Sequence, residues 1–412
     1  MLRYTSLMRL LWPGSLIATA MLVGAAACAA FSEDTASPPV AVDPDGAADG
    51  AADASDAMPF DAPADASAPD VDESKLRMLC PPANGGTTLA TAWITRTLFA
   101  PPKGERMYPF AIASDSTHVT WLAQVGTSDG GADTVPYNGG GSAVVMRMGK
   151  AGLGKPAVLA HDQMRATALA LDGAKVYWTT YEGNRSTLRA QRRDIACGAV
   201  CPEPETILTF DPNVRIVRLI RPASKVLFAL AESGQVYRVG LGTAAQYIFQ
   251  SGTYPAITAT ANHVYTSAGL SPNLERVQVD GLLPEPTYYT FPPVAGGGVG
   301  VSPIATDCTT LWMVRGYPDG RHIVGRELLS GTVSQLTILG QVDAYDLAAD
   351  ARYVYTAAPN AGGIYAVDTT TKITEHPYSG NVFGLAVDDD GVYFGEHDPN
   401  GGAGTIKMLV KK

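Results

Sequence analysis

A ten-residue pattern of apolar and polar positions recurs seven times between residues 112 and 394. The copies are IASDSTHVTW (112–121), LALDGAKVYW (169–178), LIRPASKVLF (219–228), ITATANHVYT (257–266), IATDCTTLWM (304–313), LAADARYVYT (347–356) and LAVDDDGVYF (385–394). The first position is always Ile or Leu, and the eighth always Val or Leu. The fourth is Asp in five copies: Asp115, Asp172, Asp307, Asp350 and Asp388. A polar centre flanked by apolar, β-branched and aromatic residues predicts a strand, a tight turn and a second strand. A third strand follows, marked in six copies by a basic residue (Arg147, Arg189, Arg238, Arg276, Arg326, Lys407), with Ala366 the exception. A fourth follows in the first six copies, as VLAHD, TILTFD, QYIFQ, TYYTF, SQLTIL and ITEHP. No fourth strand separates the seventh copy from Lys412.

Successive copies start 38 to 57 residues apart. Four short strands at that period predict an all-β fold, a seven-bladed β-propeller of four-stranded blades. Residues 91–99 (TAWITRTLF) run into the first copy just as fourth strands run into later ones. They are expected to supply the strand missing from the seventh blade and so close the ring without exposed edges. Across 87–412 the repeats resemble the YWTD, NHL and TolB-like group of bacterial propellers, with Val176, Tyr177, Trp178 and Thr179 nearest to that signature. Thr180 stands where the signature has its Asp, and seven copies occur where YWTD propellers have six blades. The resemblance implies the architecture; function does not travel with it.

The start of the chain has another character. Arg3 and Arg9, an apolar stretch from Leu10 to Val23 and the small residues Gly24 to Ala27 form a signal-peptide layout. Ala26 and Ala27 before Cys28 resemble the bacterial lipobox, with Ala25 where that motif has Leu. The resemblance implies acylation of Cys28 and a membrane anchor without a spanning helix. Ala29 after it implies the outer membrane, and ordinary cleavage at Ala-x-Ala would give a periplasmic or secreted protein instead. The expected organisation is a signal peptide at 1–28, a tether at 29–74 and the propeller at 75–412. Residues 31–74 carry twelve acidic side chains, no Lys or Arg, and little besides Ala, Asp, Pro, Ser and Gly, so they have no core to form.

The formal net charge of −10 comes from that tether, and it disfavours a nucleic-acid partner. Beyond Cys28 four cysteines remain, an even set suited to an oxidising compartment: Cys197 with Cys201, and Cys80 with Cys308, are the expected disulfides. A zinc reading is weak, because Cys80 and Cys308 lack close-spaced partners. Gly126-Thr-Ser128-Asp-Gly130 matches the G-x-S-x-G pattern but lies in a glycine-rich loop rather than a strand-to-helix elbow. Asp388, Asp389 and Asp390 lack the spacing of a calcium loop and are expected to cap a turn, as are the other repeated aspartates. No two of the six histidines stand three or four apart, and the third-strand cations are expected in solvated cross-strand pairs.

No catalytic residue, metal ligand or cofactor is assigned. Tyr108, Arg165, Arg215, Asp343 and Asn381 each precede the repeat's first residue by four positions, so they are expected to ring one mouth of the channel. The loops 124–142 and 395–404 belong to the same face. Mixed charge without a nucleophile or base cluster favours a binding or scaffold module for an envelope protein or a glycan. The alternative is a metal-dependent enzyme centred on the channel, as in lactonases and lyases on related propellers, so enzymatic activity stays open.

Overall fold

A computed structural model describes residues 92–411 apart from 127–140, 292–300 and the short stretches 153, 199, 224–225, 241–244, 251–255, 268–272, 282–283, 318–319, 341–343, 360–361 and 399–402. The signal peptide, Cys28, the tether and Cys80 lie outside the described residues. Among the described residues there are 28 strands, numbered in chain order, and no helix.

The strands form seven antiparallel four-stranded sheets, the blades of a β-propeller. Blade 1 consists of β2 (Arg106–Ser114), β3 (His118–Gly126), β4 (Ser142–Gly149) and β5 (Ala157–Met164). Blades 2 to 6 follow over 169–209, 216–250, 256–290, 301–340 and 346–378. Blade 7 contains β26 (Asn381–Val387), β27 (Val392–His397) and β28 (Thr405–Lys411), and its outer strand is β1 (Trp93–Phe99), paired antiparallel with β28 from Trp93↔Lys411 to Phe99↔Ile406. The N-terminal strand thus closes the ring. The strands run further than the sequence suggests, leaving 127–141 and 398–404 as the connections on that side of blades 1 and 7.

Seven apolar clusters hold the ring, one between each pair of neighbouring blades. Side chains alternate across a strand, so the eighth residue of the repeat faces the preceding blade and the ninth the following one. Val119 therefore packs with Tyr393 and Ile406 of blade 7, and Val354 with Trp312 of blade 5. Tyr355, in the ninth position, turns to Val382 and Val392 of blade 7. Blade 3 departs from this phase. Its first residue Leu219 pairs with Ala229, whereas Leu169 pairs with Trp178 and Leu347 with Thr356, so its turn is one residue longer. Leu227, not Val226, faces blade 2 there, and Pro222 replaces the turn's Asp. A slip of one residue exchanges the faces of a strand.

The repeated aspartates do cap their turns: Asp350 Oδ1 accepts the N–H groups of Arg352 and Tyr353 at 2.8 and 2.7 Å. In four of the five the second oxygen does more than the sequence suggested, because it receives a cation from the next blade; Asp307 Oδ2 instead accepts the Trp312 Nε1–H at 2.8 Å. Asp115 meets Arg193, Asp172 meets Arg221, Asp350 meets Lys411 (3.0 Å) and Asp388 meets Lys150 (2.7 Å), each pair crossing one inter-blade seam. Ring hydroxyls of the ninth position join them, Tyr177 on Asp172 and Tyr355 on Asp350. The Asp172 carboxyl, although burial would raise it, is held below its usual range by the Lys175 and Ala174 N–H groups, Tyr177 and Arg221.

Cys197 and Cys201 form a disulfide in the connection between the third and fourth strands of blade 2, and the Cys197 N–H bonds Val158 O of blade 1 at 2.7 Å. Cys308 is also disulfide-bonded, at a positive-φ turn position (φ 70°).

Candidate functional site

The innermost strands of all seven blades line a central channel cavity of about 260 Å³. Its walls are mainly the first residues of the repeats and their neighbours, such as Ile112, Leu169, Leu219 and Ile257. Several inner strands carry bulges where they enter it. The register shifts between Pro109 and Ala111, Ile216 and Arg218, and Phe383 and Leu385 leave Phe110, Val217 and Gly384 as extra residues, and all three line the channel. Bulges of this kind redirect side chains locally. Gly384 has a reason to be glycine: at φ +66° an added Cβ would stand 2.9 Å from Phe110 O of the adjoining blade.

An ion pair crosses this space. Arg218 of blade 3 lies 3.6 Å from Asp346 of blade 6, and Asp346 Oδ2 accepts the Leu385 N–H of blade 7 at 3.0 Å. Blades 3 and 6 are three apart in the ring, so the contact spans the channel rather than a seam.

The front face, where inner strands begin and second strands pass to third, is asymmetric. Blades 6, 7 and 1 contribute a row of rings. Tyr345 lies edge-on to Phe383 at 5.8 Å, Phe383 stacks on His397 at 4.1 Å, and His397 meets Tyr108 at 5.4 Å. Tyr345, Phe383 and Tyr108 are half-buried and His397 is buried, its Nε2–H donating to Pro109 O at 2.7 Å. Burial pulls the His397 pKa down to about 4 against that carbonyl and Glu396, so the ring is neutral near pH 7. Across the face the surface is polar: Arg215 pairs with Glu232 at 3.3 Å and lies 5.8 Å over the Tyr181 ring.

Of the residues singled out by sequence, Tyr108 belongs to the aromatic row, and Asn381 pairs in register with His397 beside it. Arg165 is exposed at φ 46° with its N–H on Gly141 O, and Arg215 stands in the polar sector. Asp343 lies outside the described residues. None of the four described residues lines the channel itself. Sequence reasoning passed over Phe110, Tyr345, Phe383 and the Arg218–Asp346 pair. The aligned repeats did hold a signal: the second position before the repeat is aromatic in blades 6, 7 and 1, and Arg218 and Asp346 share the position immediately before it. The third-strand cations sit less in solvent than expected. Arg326 donates to Tyr288 Oη at 2.6 Å, Arg276 lies 4.2 Å over the Tyr288 ring, and Lys407 pairs with Glu396 at 2.6 Å. Among the described residues no three His, Cys, Asp or Glu side chains gather at one point.

No protein-family profile and no curated protein matches the sequence. Solved structures do. The chain is similar to YCF48 bound to D1 peptide (TM-score 0.52, 13% identity, 81% of this chain and 100% of that one). It is also similar to the WD40 β-propeller domain of Doa1 (0.51, 10%, 77% and 97%) and to the β-propeller domain of the Trilobed protease from Pyrococcus furiosus (0.51, 9%, 74% and 95%). At these identities the likeness is one of fold.

Proposed function

We propose that this chain is an exported, lipid-anchored propeller that binds a protein partner of the cell envelope through its front face. The observation that carries the reading is the row Tyr345, Phe383, His397 and Tyr108, a half-open aromatic strip beside the channel mouth. Aromatic side chains give large contact area at low entropic cost and anchor protein interfaces. The polar sector around Arg215 and Glu232 would orient the partner on the other side of the mouth. A channel cavity of about 260 Å³ falls below the roughly 300–1,000 Å³ of ordinary small-molecule pockets, which favours the face over the channel as the contact surface. YCF48 has been solved with a D1 peptide, and a protein segment is the occupant proposed here. Export and anchoring rest on the signal-peptide layout, Cys28 and the acidic tether that would hold the propeller off the membrane.

Photo-crosslinking in intact cells tests the face. A benzoylphenylalanine at Tyr345 should yield a discrete adduct that one at Leu329, exposed on the opposite side, does not. Equal labelling from both positions would reject the assignment. Mass spectrometry of the mature N-terminus tests the anchor: an acylated Cys28 is expected, and an unmodified terminus beyond Ala30 rejects it.

A further inference from the structure

On the turn face, away from the aromatic row, a cleft of about 660 Å³ opens between blades 1 and 2. That volume is ample for a small-molecule ligand. Blade 1 supplies Asp115 to His118 and Arg147; blade 2 supplies Gly173 to Lys175 and Arg192 to Asp194. The cations outnumber the carboxylates. Arg193 is taken by Asp115, Arg192 holds Asp194 with two hydrogen bonds of 3.0 and 2.6 Å, and Lys175 reaches Glu205. Arg147 is left over. It is half-buried, and among the described residues its guanidinium has no hydrogen bond or close ion pair; the carboxylate that acts on it is Asp194, which Arg192 already holds.

The other blades show what such a residue ordinarily does. Arg189 bonds Thr180 Oγ1, Arg238 bonds Val279 O at 3.1 Å, Arg276 and Arg326 lie on Tyr288, and Lys407 pairs with Glu396. Arg147 alone among the six equivalent cations lacks such a partner among the described residues. A guanidinium carries five donors, and burying it partly without an acceptor is unfavourable unless something else fills that role.

We propose that the cleft between blades 1 and 2 binds an oxyanion, a phosphate or carboxylate group on a small molecule, with Arg147 as its charged anchor. The planar guanidinium suits bidentate contact with either group. Lys175 stands in the opposite wall to add a second positive charge to the shell. His118 offers a reporter inside the site. Burial, Arg147 and Lys150 all push its imidazole below the ordinary histidine range, and Lys150 itself is held by Asp388 and Asp390. An anion beside Arg147 would offset the two cations and raise the His118 titration midpoint.

The experiment uses the purified chain with ¹⁵N-labelled histidines and titrates inorganic phosphate, and separately acetate, at constant ionic strength. Saturable movement of the His118 ring signals and a raised midpoint, with His397 unmoved, are the expected results for at least one of the two anions. Arg147→Gln should weaken that response about tenfold or more, while Arg147→Lys keeps part of it. The other five histidine signals show that each variant is folded. A His118 that responds to neither anion, or responds equally in Arg147→Gln, overturns the proposal.

Discussion

His397 shows how one buried side chain links stability to pH. Its pKa falls from 6.5 in the unfolded chain to about 4 in the fold, chiefly through burial. Between those values the unfolded chain binds a proton that the folded one does not, so this group's contribution is full above pH 6.5 and lost as pH falls toward 4. The loss is about 3 kcal/mol at most. Urea unfolding at pH 7 and pH 4.5 should show a smaller acid loss in His397→Phe than in the parent, and identical losses would contradict this account. The pair Asp350–Lys411 makes a second test at this scale. Asp350 is wholly buried, and Lys411 lies 3.0 Å from it and 3.8 Å over the Tyr353 ring. Removing the cation alone leaves a buried carboxylate uncompensated. Lys411→Met should therefore cost about 3–5 kcal/mol, and adding Asp350→Asn should restore part of it. Additive losses in the double variant would show that the two residues do not act as a pair.

Among the elements, β1 has the largest consequence for its length. Its backbone pairs with β28, while its side chains reach both adjoining blades: Trp93 lies edge-on to Tyr353 and Tyr355 and donates to Glu375 of blade 6, and Phe99 packs on Trp121 of blade 1 at 5.5 Å. Deleting 93–99 uncovers the β28 edge and opens two apolar clusters together. Size-exclusion chromatography and calorimetry should then find aggregation or loss of the cooperative transition. A deletion variant that stays monomeric with an unchanged melting temperature would refute the closing role of this strand. The element also shows what a sequence can carry, since Trp93 to Phe99 was recognisable as a misplaced fourth strand from its alternation and position alone.

For the whole molecule, the number of blades, their four-strand grammar and the closure of the ring are legible in the sequence because all three arise from local alternation repeated at a nearly regular spacing. The turn aspartates were legible for the same reason, since capping acts within three residues. Blade 3 marks the limit of that reading: its longer turn shifts one strand by a residue, and only pairing with neighbours reveals which of Val226 and Leu227 faces blade 2. The inter-blade cations on the aspartates, the aromatic row from Tyr345 to Tyr108, the Arg218–Asp346 contact across the channel and the setting of Arg147 in its cleft were decided by tertiary structure. Each brings together residues from different blades, from tens to nearly three hundred positions apart. Their meeting depends on bulge positions, on the phase of each strand and on closing the ring, and none of these has a local signature. Alternation fixes which way a side chain points from its own strand; the curvature of the assembled ring determines what it meets there.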